Sequence, residues 1–348
     1  MIKAEISRSA IYDNIKQLRG KLRRGVKICA VVKANAYSLG DKIISRLLND
    51  KVDCFAVVKT RELANLRTAG ITKDVLLLGV CEDYETAINL GGIITIGSSA
   101  ELLKLAAKNR PARVHIKVDC GMNRFGLKSI LQLKKLIEIC QGSPLISVEG
   151  LYSHCPFEAD NPQKVKETLN KFNAFVRFFK NFYPSALIHF AASGTSEIPE
   201  CQFDMVRVGK LLYGGYGGYK TAVKISGEIV VVKTLKKGES VGYDGTFIAP
   251  ETMRIGVVAC GYADIVNFKY KGTNFVTVDG KPVRVLGRVC MDYFFVDVRE
   301  IKKPLGKSVV IISNEKGQRV MDIAAATGIC ACETFCGMNF TRAEVRIT

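Results

Sequence analysis

This 348-residue chain has no apolar run of the ~18 residues that a membrane-spanning helix needs, and its opening residues, Met1 to Ile6, contain no secretory hydrophobic stretch. A cytoplasmic location and no membrane partner are expected. No zinc-finger spacing, aromatic ribonucleoprotein motif or basic tail accompanies the 51 Lys and Arg set against 33 Asp and Glu. The formal charge of +18, scattered along the chain apart from short clusters at Lys21 to Lys27 and Lys233 to Lys237, therefore reads as a solvated basic surface and not as a nucleic-acid footprint. Without a secretion signal, the twelve cysteines are expected to be reduced, buried thiols. The cluster Cys330-x-Cys332-x3-Cys336 lacks the second half of a zinc site, so no metal is expected.

What is present is ordinary globular material, 48% hydrophobic and 24% charged, long enough for two domains or for an α/β barrel with an appendage. After a short strand (Ala4 to Ile6) and a helical pattern (Ser9 to Arg24), eight apolar runs alternate with helical segments. They are Val26 to Val32, Cys54 to Val58, Val75 to Leu78, Ile93 to Ile96, Val114 to Val118, Val148 to Tyr152, Leu187 to Ala191 and Met205 to Val208. Eight such units predict a parallel (β/α)8 barrel. A doubly wound sheet is disfavoured, because no glycine-rich dinucleotide turn follows the first strand, and Gly214-Gly-Tyr-Gly-Gly-Tyr219 precedes no helix. Beyond about residue 220 the texture changes to short β-rich runs separated by turns such as Asp279-Gly-Lys-Pro282, with one short helix near Met321 stopping at Thr327-Gly328. The expected organisation is a barrel over 1–220 and a mostly-β domain over 221–348, with the first short strand free to join the latter.

Chemistry in such barrels sits at the C-terminal ends of the strands. The strand ends carry Lys33, Asp119 with Arg124, His154 (one of only three histidines), Ser193 and Arg207 with Gly209. A lysine at the tip of a buried strand must be paired, snorkel to water, or be held neutral, for instance as an imine to a carbonyl. An imine-capable lysine, a loop of phosphate-binding type after the eighth strand and an inward arginine together suggest pyridoxal phosphate.

Six stretches then carry a family resemblance. They are Ala30-Val-Val-Lys-Ala-Asn-Ala-Tyr37, Lys117-Val-Asp-Cys-Gly-Met-Asn-Arg-Phe-Gly126, Val206-Arg-Val-Gly209 with Leu212-Tyr-Gly214, Val241-Gly-Tyr-Asp-Gly-Thr246, Gly261-Tyr-Ala-Asp264 and Gly287-Arg-Val-Cys-Met-Asp292. Over nearly its whole length the chain resembles the pyridoxal-phosphate-dependent alanine racemases. The resemblance implies that Lys33 holds the cofactor covalently and serves as one proton-transfer base, with Tyr243 from the second subunit of a head-to-tail homodimer as the opposite base. A phenol is a poor base at neutral pH and needs tuning by neighbours, a role implied for His154 and Arg207. Arg207 would also face the pyridine nitrogen and keep it unprotonated. Tyr37, Ser193 and the backbone at Gly209 would hold the phosphate. Arg124, positioned by a Lys117 that many family members carbamylate, and the amide of Met291 would hold the substrate carboxylate. Tyr262 and Asp292 would line the approach from the partner chain.

Departures from the family pattern are also visible. Ala331-Cys332-Glu333 lacks a phosphate-binding tyrosine, Lys210 follows the eighth-strand glycine, Val208 replaces a proline, Ser38-Leu39 replaces Gly-His, and Ile265-Val266 replaces Gly-Tyr. Lys210 is expected to supply charge to the phosphate. Racemisation of alanine is the leading expectation, with serine or another small amino acid as a variant, since a methylene is worth only ~1–3 kcal/mol of discrimination. A barrel decarboxylase is disfavoured because it would need an acidic residue where Arg207 stands, and a non-catalytic cofactor carrier because it would need neither Tyr243 nor the β domain.

Overall fold

The structure, a computed structural model, describes residues 2–264 and 276–348; the Ile265-Val266 departure lies outside the described residues. The chain forms two compact units, Ile15–Gly209 and Met1–Asn14 with Lys210–Thr348.

In order along the chain, the first strand is β1 (Lys3–Ile6). It is followed by the barrel strands β2 (Lys27–Val31), β3 (Cys54–Val57), β4 (Val75–Leu77), β5 (Ile93–Ile96), β6 (Ala112–Lys117), β7 (Ile146–Tyr152), β8 (Leu187–His189) and β9 (Met205–Val208). All eight predicted barrel strands are in place. They are parallel, in the spatial order β8-β7-β6-β5-β4-β3-β2-β9. The ring closes between β8 and β9 through a bridge from Ala192 to Arg207 and the bond from Arg207 N–H to Ala191 O (3.0 Å). Parallel strands covered on both faces need apolar side chains throughout, and β3, β4 and β5 are buried along their length apart from Cys54.

Helices between the strands carry conventional caps. The helix Pro162–Lys180 has proline in its first turn and the Asn161 side chain accepting from Lys164 N–H; it buries Val165, Leu169, Phe172, Phe175 and Phe179 as one stripe. Ser129 and Gln132 form a capping box on Ile130–Gln141.

The barrel interior is divided. Cys29, Val31, Ala56, Leu76, Ile93 and Met205 form an apolar cluster. By strand alternation, Thr95 shares a face with Ile93 and Arg207 with Met205. These continue into a polar side made with His115, Tyr152 and His189: Thr95 reaches Tyr152 past β6, His115 reaches His189 past β7, and Arg207 meets His189 where β8 and β9 close the ring.

The other unit is built on a sheet of nine strands among the described residues. It comprises β10 (Val223–Leu235), β13 (Met253–Val258), β14 (Val276–Val278), β15 (Lys281–Val283), β16 (Val285–Leu286), β17 (Phe294–Asp297), β18 (Ser308–Ile312) and β19 (Glu344–Ile347), together with β1. The first strand pairs antiparallel with β10 and parallel with β19. A small hairpin of β11 (Ser240–Val241) and β12 (Phe247–Ile248) stands apart, and Val241 and Phe247 pack with Leu235, Met253, Ile255 and Leu286. The predicted helix near Met321 spans Val320–Thr327, and Gly328 stops it at φ 68°. A second helix, Ala331–Cys336, occupies the stretch noted above for its cysteines and its missing tyrosine.

Candidate active site

Lys33 follows β2 and opens an unusual turn. Five successive non-glycine residues, Ala34 to Ser38, have φ between 51° and 71°. Left-handed backbone is disfavoured for L-residues by ~1–2 kcal/mol each, so neighbours must hold it. Glu62 does much of this: Oε1 accepts from Ala34 N–H at 2.6 Å, while Oε2 accepts from Val58 N–H at 2.8 Å and Lys59 N–H at 3.0 Å. Asn35 Oδ1 accepts from Asp41 N–H at 2.9 Å, and Ser38 N–H closes back on Ala34 O at 2.9 Å. The turn delivers a buried Tyr37 against the tip of β9. A Cβ at position 209 would stand 2.3 Å from Tyr37 Oη, and Gly209 N–H donates to Ser193 Oγ at 3.3 Å. Two hydroxyls and a backbone amide thus converge at a place open only to glycine, a donor set suited to a phosphate group.

Arg207 is 4% exposed. Nη1 donates to His189 Nδ1 at 2.7 Å, and Nη2 donates to the carbonyls of Ser153 at 2.7 Å and Phe190 at 3.1 Å. His189 Nε2 in turn lies 2.8 Å from His115 Nδ1, and Tyr152 stacks on His189 with ring centroids 4.7 Å apart. These hydrogen bonds run from Arg207 to His189 and not to His154, the histidine singled out from sequence. His189 and His115 were legible only as polar residues inside two apolar strand runs.

His154 is kept neutral. Burial, then the positive charges of Arg207, Arg124, Lys33 and Lys117, push its pKa down to about 3. Lys117 is 1% exposed, donates to Phe125 O at 2.8 Å and lies 4.6 Å from the Phe125 ring centroid. Burial pulls its pKa down to about 8. The exposed Arg124 stacks its guanidinium over the same ring at 5.7 Å. Asp119, a rim residue by sequence, works on the loop: Oδ1 accepts from Gly121 and Asn123 N–H, and Oδ2 from Arg124 N–H, each at 3.0 Å.

In the β-rich unit, Tyr243 sits in the hairpin turn Tyr243–Gly245, 61% exposed, beside an Asp244–Arg288 ion pair. The segments at Gly261 and at Gly287 to Asp292 are laced together. Tyr262 N–H donates to Cys290 O and Ala263 N–H to Met291 O, both at 3.0 Å, and a Cβ at Gly261 would strike Met291 O at 2.1 Å. Arg342, missed in the sequence, reaches Asp292 Oδ1 at 2.6 Å and Asp264 Oδ1 at 3.2 Å. Tyr262 and Met291 are 43% and 51% exposed. Lys210 begins the 3-10 turn Lys210–Tyr213, with Nζ 5.6 Å from the Tyr216 ring centroid, and Cys332 is half-buried on Ala331–Cys336.

A closed parallel barrel with a lysine held at one strand tip, a hydroxyl-lined phosphate cradle at another and a buried arginine hydrogen-bonded to a neutral imidazole defines a barrel-type pyridoxal-phosphate enzyme. Two family profiles, described as the alanine racemase N-terminal and C-terminal domains, match residues 6–217 and 222–346. The chain belongs to the alanine racemase family. It is 30% identical to "Alanine racemase 2" of Caldanaerobacter subterraneus subsp. tengcongensis, covering 97% of this chain and 92% of that one. Against "Alanine racemase" of Streptococcus pyogenes serotype M6 the identity is 32%, over 96% and 94%. The crystal structure of alanine racemase from D-cycloserine-producing Streptomyces lavendulae matches with a TM-score of 0.91 at 25% identity, covering all of this chain and 97% of that one. The enzyme from Bacillus anthracis with bound L-Ala-P matches at 0.90 and 25%, covering 100% and 95%. The cofactor is pyridoxal 5'-phosphate, and the amine, hydroxyls, amide and guanidinium described above fit its aldehyde, phosphate and ring.

Proposed function

We propose that this protein interconverts L- and D-alanine by a two-base route in a homodimer with shared active sites. The observation that carries this is Lys33, fixed by a left-handed turn on the same barrel rim as the Tyr37, Ser193 and Gly209 cradle and the buried Arg207. When bound, pyridoxal phosphate supplies an electron-withdrawing ring that acidifies the α-C–H of an attached amino acid. Lys33 Nζ takes or returns the α-proton on one face. Tyr243 Oη of the partner subunit does so on the other, and inversion follows because the proton leaves and arrives on opposite sides. The 61% exposure of Tyr243 in a hairpin turn suits a residue given to a neighbouring chain.

Tyr37, Ser193, the Gly209 backbone and Lys210 would hold the phosphate, while Arg207 would face the ring nitrogen and leave it unprotonated, limiting side reactions. His154, held neutral among cations, takes part in tuning the partner's phenol. Arg124 and the Met291 amide orient the substrate carboxylate, and Tyr262 with Asp292, the latter fixed by Arg342, lines the approach. Lys117, with its pKa near 8, has an amine neutral often enough to combine with carbon dioxide as a carbamate, releasing a proton and gaining a negative group to pair with Arg124. Twelve free cysteines suit a reducing cytoplasm.

Incubation with L-alanine in deuterium oxide, followed by chiral analysis, tests the activity. Formation of D-alanine labelled at the α-carbon supports it; release of carbon dioxide or an unlabelled, uninverted product overturns it. Parallel incubation with serine reads the variant substrate.

A further inference from the structure

We propose that His115 and His189 form a one-way hydrogen-bond relay that holds Arg207 from below, with His115 as a positioning residue at the floor of the barrel. The proposal rests on the assignment of Arg207 to the ring nitrogen of the cofactor.

The direction of the relay follows from proton counting. A guanidinium has five donors and no acceptor. Its contact with His189 Nδ1 at 2.7 Å therefore requires a bare nitrogen there. His189 must then be neutral with its proton on Nε2, which points at His115 Nδ1, 2.8 Å away. That nitrogen must also be bare, so the remaining proton of His115 sits on Nε2. Reversing either ring would set donor against donor, and protonating His189 would remove the acceptor that Arg207 uses. Three N–H groups of Arg207 are occupied by His189, Ser153 O and Phe190 O. Two remain for a ligand, and their direction is set by those three bonds.

The surroundings support the arrangement. His115 and His189 are 2% and 0% exposed. Tyr152 stacks within 6° of parallel on His189. Gly150 leaves room for the His115 ring, since a Cβ there would lie 2.8 Å from it. The charged groups acting on the pair are Arg207, Arg113 and Asp74. His115 Nε2 is buried with no partner among the described residues. An unpaired buried donor is a cost that a relay terminating on a carbonyl would have avoided.

Only three histidines occur in the chain, so nitrogen-15 imidazole spectra of the labelled protein can be assigned by single substitutions. In both cofactor-free and loaded protein, His115 and His189 are expected as neutral Nε2–H tautomers across the range in which an ordinary histidine titrates. Asparagine at 115 keeps an oxygen where Nδ1 stands; leucine does not. His115→Leu should leave His189 Nε2–H without its acceptor, loosen the ring on which Arg207 rests and lower kcat by roughly ten- to a hundredfold with KM for alanine nearly unchanged, while His115→Asn should stay within a few fold of the parent. An Nδ1–H tautomer, titration of either ring near its ordinary value, or a His115→Leu enzyme with full kcat overturns the relay. If the leucine variant does not fold, the parent spectra and the asparagine variant still decide. An inactive protein with the expected tautomers would instead sink the racemase assignment and leave the relay standing.

Discussion

In the barrel, Lys117, His189 and Arg207 are 1, 0 and 4% exposed and are hydrogen-bonded to neighbours within the same unit, whereas Tyr243, Met291 and Tyr262 in the β-rich unit are 61, 51 and 43% exposed. The barrel residues are placed by folding itself: burying a charged or polar side chain without a partner is so unfavourable that their geometry is set before any ligand arrives. The exposed residues gain little from folding. Their backbone is fixed, by the lacing of Gly261 to Met291 and by Gly242 at φ 80°, but their side chains stay exposed. In one region a substitution should disturb stability and chemistry together, and in the other chemistry alone.

The largest separation is expected between Lys33→Ala and Tyr243→Phe on one side and their melting temperatures on the other. Each should lower racemase turnover by about 10²–10⁴-fold. Tyr243→Phe should leave unfolding free energy within about 0.5 kcal/mol, as for most surface changes. A cooperative loss of stability in Tyr243→Phe, seen by calorimetry, would erase the distinction. Next comes Gly209→Ala, where the new methyl must displace the Tyr37 ring; destabilisation of about 1–3 kcal/mol should accompany weaker cofactor binding, read by titrating the visible absorbance.

A smaller effect is expected with pH. His115 and His154 are held at about 3, below the ordinary histidine value, so the unfolded chain takes up protons that the fold refuses. Stability should fall as pH drops from about 6.5 toward 3, and the His115→Leu variant should show a shallower decline in urea midpoint over that window. The smallest change is assigned to Lys210→Ala: a few-fold rise in cofactor dissociation constant, about 1 kcal/mol for one charged contact. An unchanged constant would mean that its ammonium, over the Tyr216 ring, does not compensate for the tyrosine missing at Cys332.

The architecture was legible because parallel strands buried on two faces read as unbroken apolar runs, and because barrel chemistry gathers where those runs end. Lys33, Ser193 and Arg207 could be read off in this way. The pairing of His115 with His189 spans 74 residues, and neither its distance nor its direction is written locally. Arg342 is likewise 50 residues from Asp292. Asp119 was visible as a rim carboxylate, but its oxygens are occupied by three N–H groups of its own loop, a use that only coordinates reveal. The left-handed stretch gave no warning because positive φ is normally advertised by glycine, and Ala34 to Ser38 contain none.

That reversed winding has an implication for assembly. A nascent right-handed helix cannot grow into it, and the chain after Lys33 has no intrinsic tendency to adopt it. It requires the carboxylate of Glu62, which arrives one strand and one helix later. The Lys33 amine, to which we assign the cofactor bond, is therefore presented in this geometry only after the second strand-helix repeat has docked, which ties its placement to the progress of the chain.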